Sequence, residues 1–231
     1  MQVKDILFKN CKDLTEIDLP EWLEPEVNDN GCTIKSYAWK SDKLRRLRLC
    51  NLNLKGKFIA ESLVIYPDWD LNNPVFGTEY VIAGGKRFFG TIDFHPLDMR
   101  KEYIDHYINK DLRDQPDRGK DKSNVYDLNK YFSKKLWIKV ENNDFYEKYL
   151  KSLDLYLSRY LQQIKRSKRI NNSDSNIGFG CNTIQPAHIA QKGYDYHLAS
   201  TDPAYGILKT YYNSQFADKY INTFLFDMSR L

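Results

Sequence analysis

Short segments rich in Tyr, Phe, Ile and Val follow one another between residues 32 and 95, separated by polar or glycine-containing turns. Apolar residues that alternate with polar ones in such segments predict β-strands. The connections Ser41-Asp42, Lys55-Gly56 and Gly84-Gly85 are short enough for hairpins. We therefore predict an antiparallel meander, with strands over 32–40, 44–53, 57–66, 76–83 and 86–95 and, after an insertion, over 135–141.

The apolar residues change to a helical period in the second half of the chain. Asp144 followed by Glu147 predicts the start of a helix that runs to about Lys165. Its apolar positions are 149, 150, 153, 156, 157, 160, 161 and 164. Three further helices are predicted to begin at Pro186, at Asp202-Pro203 and at Ser214, the last one ending at Phe226.

Two polar segments interrupt these elements. After a short helix over 99–109, residues 110–123 are too charged for a core, and we expect a surface loop. Residues 167–182 form a polar, glycine-containing loop that either covers a site as a lid or is disordered.

Strands in the first half and helices mainly in the second predict an α+β fold. A chain of 231 residues is long enough to bury a sizeable core, and we expect one domain over 1–231. Its helices should pack on the faces of a central antiparallel sheet.

Aromatic residues make up 14% of the chain, with 17 tyrosines among them. This number is larger than a minimal core needs. Two interpretations stay open, namely a wide pocket for a flat, conjugated ligand, or a core and surface rich in tyrosine.

The sequence lacks the common motifs for metals and nucleotides. Its four cysteines are scattered, its four histidines form no paired-ligand spacing, and no glycine-rich phosphate loop precedes a helix. We therefore expect no bound metal or nucleotide, so that any redox chemistry needs electrons from outside. No apolar run approaches the roughly 20 residues of a membrane span, and we expect a soluble protein of a reducing compartment.

Basic residues are concentrated in two clusters, although the net charge is only +4. Such clusters suit an acidic partner, but cations at the end of a helix also complement its dipole, and for the second cluster this structural role stays open. A pI near 8.7 and the lack of a known binding motif argue against nucleic acid. The clusters are Lys43, Arg45, Arg46 and Arg48, and Lys165, Arg166, Lys168 and Arg169.

Each strand of the hairpin around Gly84-Gly85 carries one carboxylate among apolar residues. The first strand carries Glu79 and the second carries Asp93. A two-residue turn would place Glu79 opposite Gly90 and Asp93 opposite Phe76. The two acids would then point to opposite faces of the sheet. One extra residue in the hairpin would reverse this result.

Glu79 is the first candidate for proton chemistry. In the predicted register, Gly90 leaves room for a ligand beside it, and Ile92 shares its face. Apolar surroundings raise the pKa of a carboxyl group, which can then donate a proton near neutral pH. The alternative is an ion pair with an arginine. For Asp93 we expect a structural role.

Several motifs stand in the same order as in one protein family, from about Ser36 to Asp227. Together they resemble those of the ferredoxin-dependent bilin reductases. The motifs are Tyr66-Pro67-Asp68-Trp69-Asp70, Pro74-x-x-Gly77-x-Glu79, Asp93-Phe94-His95-Pro96-Leu97, Asp202-Pro203-Ala204-x-Gly206 and Phe224-Leu225-Phe226.

This resemblance implies a three-layer α/β/α sandwich that binds biliverdin IXα between the central sheet and the C-terminal helices. It implies that no flavin, nicotinamide or metal is bound, and that reduced ferredoxin supplies electrons singly. It also implies a cyanobacterial cytoplasm or a plastid stroma, and the next bilin reductase as a partner that receives the product.

The resemblance further implies that Glu79 and Asp202 are buried acids that supply protons. The family usually has an aspartate where Glu79 stands, and Asp202 before Pro203 is also an ordinary helix cap. Basic residues should neutralise the two propionates of the pigment. The residues that we expect to contact the substrate are Phe76, Gly90, Ile92 and Arg48.

Within the family, Ser36-Tyr37-Ala38-Trp39, Leu44-Arg45-Arg46-Leu47-Arg48 and Tyr131-Phe132-Ser133 are most similar to members that reduce biliverdin to 15,16-dihydrobiliverdin, on the route to phycoerythrobilin. The ending Leu225-Phe226-Asp227 is more similar to members that reduce the A-ring diene system. That reaction is one alternative, and a non-catalytic bilin-binding protein is the other.

Overall fold

Seven antiparallel strands form one sheet in the computed structural model, which describes residues 2–23, 28, 31–110, 112, 130–133, 135, 137–170 and 186–230. Each strand pairs with the next one along the chain, so the predicted meander is confirmed. The strands are β1 (Thr15–Glu16), β2 (Cys32–Ser41), β3 (Leu44–Leu54), β4 (Phe58–Pro67), β5 (Val75–Ala83), β6 (Arg87–His95) and β7 (Trp137–Glu141).

Six α-helices accompany the sheet within the same described ranges, and the predicted α+β class is confirmed. A 3₁₀ turn covers Glu21–Leu23, and π-helical turns cover Asp105–Asn109 and Ile221–Leu225. The helices are α1 (Val3–Asn10), α2 (Lys101–Ile104), α3 (Tyr146–Arg166), α4 (Ala187–Thr201), α5 (Ala204–Tyr211) and α6 (Ser214–Tyr220).

Helix α1 and strand β1 were not predicted from the sequence. An isolated helix of 8 residues is marginal in water, so its local pattern is weak. In the fold, α1 is stabilised because Val3, Ile6 and Leu7 are fully buried. Lys9 also forms an ion pair of 2.6 Å with Asp154 on α3.

One face of the sheet packs against α1 and α3, and we call it the α3 face. Alternate strand residues point to this side, where Leu47, Leu63 and Phe76 are fully buried. The helical period of α3 places a matching apolar stripe on them. That stripe consists of Tyr149, Leu150, Leu153, Tyr156, Leu157, Tyr160 and Ile164.

The opposite face packs against α5, α6 and the π-helical turn Ile221–Leu225. We call it the cavity face. Leu52, Val81 and Phe89 of the sheet belong to one cluster with Leu208 of α5 and Tyr220 of α6. Both faces of the sheet therefore carry helices, which is what the predicted sandwich requires.

Two predicted loops lie largely outside the described residues, namely the surface loop over 110–123 and the lid over 167–182, which includes Cys181. Across the described part of the chain, no helix is both long enough and apolar enough to cross a membrane.

Candidate active site

The hairpin between β5 and β6 has a three-residue turn, and the predicted two-residue turn is wrong. Ala83 pairs with Arg87, so Gly84, Gly85 and Lys86 form the turn. Both glycines have positive φ values, of 62° and 66°. A backbone of this kind suits glycine, because other residues meet a steric penalty there.

This extra residue reverses the predicted orientation of the two acids. Glu79 pairs with Thr91, and Asp93 pairs with Gly77. Because residues two apart on a strand share a face, Glu79 and Asp93 both point to the cavity face. The expectation that they point to opposite faces is therefore wrong.

The same change moves Gly90 and Ile92 to the α3 face, away from Glu79, while Phe76, three residues before Glu79 on the same strand, lies on the α3 face with either turn. Phe76 and Ile92 are fully buried in the core there. The space beside Gly90 is filled, since a Cβ atom would lie 3.1–3.3 Å from aromatic atoms of Phe145, Trp137 and Tyr149. The expected contact of these three residues with a ligand beside Glu79 is therefore excluded by the packing.

On the cavity face, Glu79 lies in a row of small side chains that crosses five strands. Successive pairings join Ser36 to Cys50, Cys50 to Ser62, Ser62 to Glu79 and Glu79 to Thr91. We call these five residues the central row. Because most of these side chains are short, they do not fill the space between the sheet and the helices.

Two cavities lie over the central row. The first has a volume of about 300 Å³ and extends toward Phe58 and Ala83 at the end of the sheet. The second has a volume of about 240 Å³ and extends toward His95 and Tyr194. Volumes of this order are those of small-molecule sites. Both cavities are lined by Arg48, Ser62, Glu79, Asp202 and Pro203, which we call the shared wall.

Asp202 reaches the shared wall from the helical side. Its backbone N–H donates to Leu198 at the end of α4, and its Oδ1 accepts a hydrogen bond of 2.7 Å from the N–H of Ala204 at the start of α5. The residue thus caps a helix and also lines both cavities. Burial raises the pKa of its carboxyl group, while the N–H of Ala204 and the charge of Arg48 oppose this rise. Its surface is partly accessible, but protein atoms surround the carboxyl group.

Arg48 is the buried member of the shared wall and is held in place by the C-terminal segment. Its side chain is buried, its Nε donates to the carbonyl of Leu225 at 2.8 Å, and its Nη1 donates to Ser62 Oγ at 3.3 Å. The guanidinium also lies 5.4 Å from the ring centre of Phe226. The structure thus brings three of the predicted residues together, namely Glu79, Asp202 and Arg48.

Comparison with known proteins decides the family. A family model described as ferredoxin-dependent bilin reductase matches residues 6–227. The chain belongs to this family. The bilin reductase is accordingly an oxidoreductase that depends on ferredoxin, and the resemblance noted in the sequence is confirmed.

Curated relatives of the bilin reductase carry the name 15,16-dihydrobiliverdin:ferredoxin oxidoreductase. The relative from Nostoc punctiforme is 28% identical over 93% of this chain and 88% of its own length. One from a Synechococcus strain is 29% identical over 93% and 91%, respectively. One from Prochlorococcus marinus is 31% identical over 86% and 81%.

A solved structure of tomato phytochromobilin synthase in complex with biliverdin has a similar fold. The TM-score is 0.78, and the match covers 98% of this chain and 80% of the tomato chain. The sequence identity is 17%, so the likeness concerns the fold.

A histidine in the second cavity of the bilin reductase was not assigned a role from the sequence. His95 Nδ1 lies 2.6 Å from the hydroxyl of Tyr194, and its ring covers Gly77, where a Cβ atom would lie 2.3 Å from Cε1. Burial and the charge of Arg48 lower the pKa of His95 to about 3, so the ring is neutral. The signals in the sequence were the motif Asp93-Phe94-His95-Pro96-Leu97, which contains this residue, and the glycine at position 77, two residues before Glu79.

Asp93 is held in the way expected of a structural carboxylate. Its Oδ2 accepts a hydrogen bond of 2.6 Å from the N–H of Ser133, and its Oδ1 accepts one from the Ser133 hydroxyl. These bonds tie β6 to the segment that precedes β7. Among the described residues, no group of three or more metal-ligating side chains is positioned to hold an ion.

The first basic cluster proves to be internal. Lys43 donates to the carbonyls of Lys165 and Ser167 at the end of α3. Arg45 and Arg46 both form ion pairs with Asp227, at 3.1 and 3.0 Å. Lys43 therefore fastens the end of α3, and the two arginines, like Arg48, fasten the C-terminal segment, so the expectation of a surface patch for an acidic partner is wrong for this cluster.

Proposed function

We propose that this bilin reductase converts biliverdin IXα to 15,16-dihydrobiliverdin. The electrons come from reduced ferredoxin, and the protons come from acids of the shared wall. The family supports the electron donor. The names of the relatives support the reaction, and the bound biliverdin of the tomato enzyme supports the substrate.

The observation that carries the proposal is the meeting of two carboxyl groups in the shared wall. Glu79 comes from the middle of the sheet and Asp202 from the junction of two helices, and both line both cavities. A flat pigment that spans the two cavities lies between the central row and the helices. Acids from two sides then face the same conjugated system.

The reaction needs two electrons and two protons. Each reduced ferredoxin supplies one electron and becomes oxidised, so two ferredoxins serve one biliverdin. The C15=C16 double bond becomes a single bond, and each of these carbons gains one hydrogen. A pigment that has received an electron is a stronger base than before. A positioned carboxylic acid therefore protonates it.

Asp202 is the better placed donor, because burial keeps its proton bound to a higher pH than in water. Glu79 is the second donor and extends one methylene further than the aspartate that is usual in the family. Arg48, buried beside both acids, stabilises the negative charge that the pigment gains.

The test is an anaerobic assay of the purified protein with biliverdin IXα and reduced ferredoxin. Reduction at the 15,16 bridge shortens the conjugated system strongly, so we expect a large shift of absorption to shorter wavelength. The product should co-elute with 15,16-dihydrobiliverdin on chromatography. A product reduced in the A ring would contradict the proposed reaction. Binding without any spectral change would show a bilin-binding protein instead.

The relatives from Nostoc, Synechococcus and Prochlorococcus are cyanobacterial proteins. We propose that the reaction takes place in a cyanobacterial cytoplasm or a plastid stroma, where ferredoxin is reduced. The product retains the A-ring diene, so a second reductase is needed to complete phycoerythrobilin.

A further inference from the structure

The turns at one end of the sheet carry four exposed cations. Lys55 and Lys57 belong to the β3–β4 hairpin, and Lys86 and Arg87 to the β5–β6 hairpin. We call these four residues the cationic lip. The two pairs lie about 30 positions apart along the chain, so no local cluster of charge marks them in the sequence.

The two hairpins are joined directly. The N–H of Gly84 donates a hydrogen bond of 2.7 Å to the carbonyl of Lys57, and Phe58 pairs with Ala83 immediately below. Neighbouring strands lie about 5 Å apart, so the four cations form one compact surface.

The cationic lip borders the mouth of the first cavity. Phe58, Ala83 and Arg87 are among the residues that line it. Glu79 lies four residues from Ala83 on the same strand, a distance of about 14 Å at ~3.4 Å per residue. A pigment that extends from the shared wall toward the lip therefore brings its edge close to this surface.

These charges are not neutralised within the described part of the chain. No ion pair joins the four cations to an acid there. Glu141, which lies opposite Phe88 on the next strand, is paired with Lys139 at 2.9 Å. Like charges that stay close together without a partner favour a bound anion or an acidic surface.

The other basic regions of the described chain differ from the lip. Arg46 and Arg48 are buried, Arg45 is half-buried, and all three fasten the C-terminal segment. Arg169 forms ion pairs with three aspartates of neighbouring turns. Lys165 and Lys168 are exposed, but they lie at the end of α3 and line neither cavity.

We propose that the cationic lip is the docking surface for the acidic electron-donor protein. This inference rests on the proposed function, because it assumes that the pigment fills the first cavity. A donor bound at the lip delivers its electron to the edge of the pigment by the shortest route, while the protons arrive from the shared wall at the other end of the cavity.

The test uses a charge-reversed variant of the full chain, Lys57→Glu with Lys86→Glu, which changes one side chain on each hairpin. Both backbones keep their turn hydrogen bonds, and neither side chain lines a cavity. The matched control is Lys165→Glu with Lys168→Glu, which makes the same change of charge at the end of α3.

We expect kcat/KM for reduced ferredoxin to fall by about 10-fold or more in the lip variant at low salt, because charges at the rim of an interface act mainly on encounter. The difference should shrink at high ionic strength, where screening is stronger. The kcat at saturating ferredoxin and the affinity for biliverdin should stay within about twofold of the original protein, and the control should retain its kcat/KM.

Two results would overturn the inference. One is weaker binding of biliverdin with unchanged kcat/KM for ferredoxin, which would assign the lip to the propionates. The other is an equal loss in the control variant, which would show a general effect of charge. If the protein reduces no bilin, calorimetric titration with oxidised ferredoxin still tests whether the lip is the docking surface. Equal affinity of the lip variant and the original protein for ferredoxin would refute a docking role.

Discussion

The two faces of the central sheet are built from the same strands but are packed in opposite ways. On the α3 face, Phe76, Ile92 and Phe94 are fully buried, and aromatic rings occupy even the space above Gly90. On the cavity face, the central row borders two cavities of about 300 and 240 Å³. The alternation of side chains along a strand thus separates the residues that stabilise the fold from those that face the candidate site.

This difference has a physical cause in residue size. Large aromatic side chains on the α3 face interlock with those of α3 and exclude water. On the other side, the hydroxyl of Tyr220 in α6 lies 3.0 Å from Ser36 Oγ and from Cys50 Sγ, while the short side chains of Ser62 and Thr91 border cavities. The two acids there line the walls of both cavities, and burial raises the pKa of Asp202.

The largest effect on the cavity face is expected for Asp202→Asn. The amide keeps the size and the acceptor oxygen that caps α5 but cannot donate an acidic proton. We expect kcat to fall by about 100- to 10,000-fold, the usual contribution of a positioned acid. Biliverdin binding and the thermal midpoint should be retained. Turnover at the original rate would remove Asp202 from the chemistry.

The largest effect on the α3 face is expected for Phe76→Ala. Its ring is fully buried and packs 5.3 Å from the ring of Tyr160, centre to centre. We expect the free energy of unfolding to fall by about 3–5 kcal/mol, measured with urea. Val81→Ala, on the cavity face, is the matched control and should cost less, because Val81 already borders empty space. Well below the unfolding transition, Phe76→Ala should keep its kcat, and a loss of chemistry in the folded variant would contradict the separation of the two faces.

Two glycines, Gly77 on the cavity face and Gly90 on the α3 face, test the same difference between the faces. A Cβ atom at Gly77 would lie 2.3 Å from the ring of His95, which Tyr194 holds in place, whereas at Gly90 the nearest atoms are 3.1 Å away. We expect Gly77→Ala to destabilise the fold by about 1–3 kcal/mol and to change the absorption spectrum of bound biliverdin. Gly90→Ala should cost less and leave that spectrum unchanged. An altered spectrum in Gly90→Ala alone would place the pigment on the wrong face.

The pH dependence of turnover tests the raised pKa of Asp202. A raised pKa means that the carboxyl group is protonated at low pH and loses its proton as the pH rises through that value. We therefore expect kcat to be highest on the acidic side and to fall as the pH rises. The residual activity of Asp202→Asn should lack this decrease. The same decrease in both proteins would assign it to another group.

The smallest effect is expected for Glu79→Asp, which restores the residue that is usual in the family. The carboxylate stays on the cavity face but is withdrawn by about 1.5 Å, the length of one methylene. We expect a change of a few fold in kcat and a change in the proportions of reduced products, measured by chromatography. Glu79→Gln should have the larger effect of the two. Identical products and rates in all three proteins would exclude a role for this side chain.

Much of the fold was predictable because it depends on local patterns. The alternation in five segments predicted β2 to β6 to within about one residue at each end, and the apolar period of α3 predicted its length. Short elements such as α1 and β1 were not predictable, since their stability comes from contacts with distant parts of the chain.

The candidate site was predictable in its acids but not in its surroundings. Glu79 and Asp202 were recognised from motifs, and the structure brings them to one wall. Gly90 and Ile92 were assigned to that wall wrongly because the turn has three residues instead of two, and Phe76 because it lies three residues from Glu79 on the same strand and so faces the other side. A shift of one residue moves every side chain of a strand to the other face.

The sequence by itself determined the class of fold, the order of the strands and the family, since each follows from residue types and their order along the chain. Only the tertiary structure decided which face each strand residue occupies, which arginines are internal, and where the exposed cations gather. These properties depend on pairing between segments that are distant in sequence. The register of one hairpin sets the faces, contacts with the C-terminal segment hold the arginines, and a backbone bond joins the two turns that carry the exposed cations.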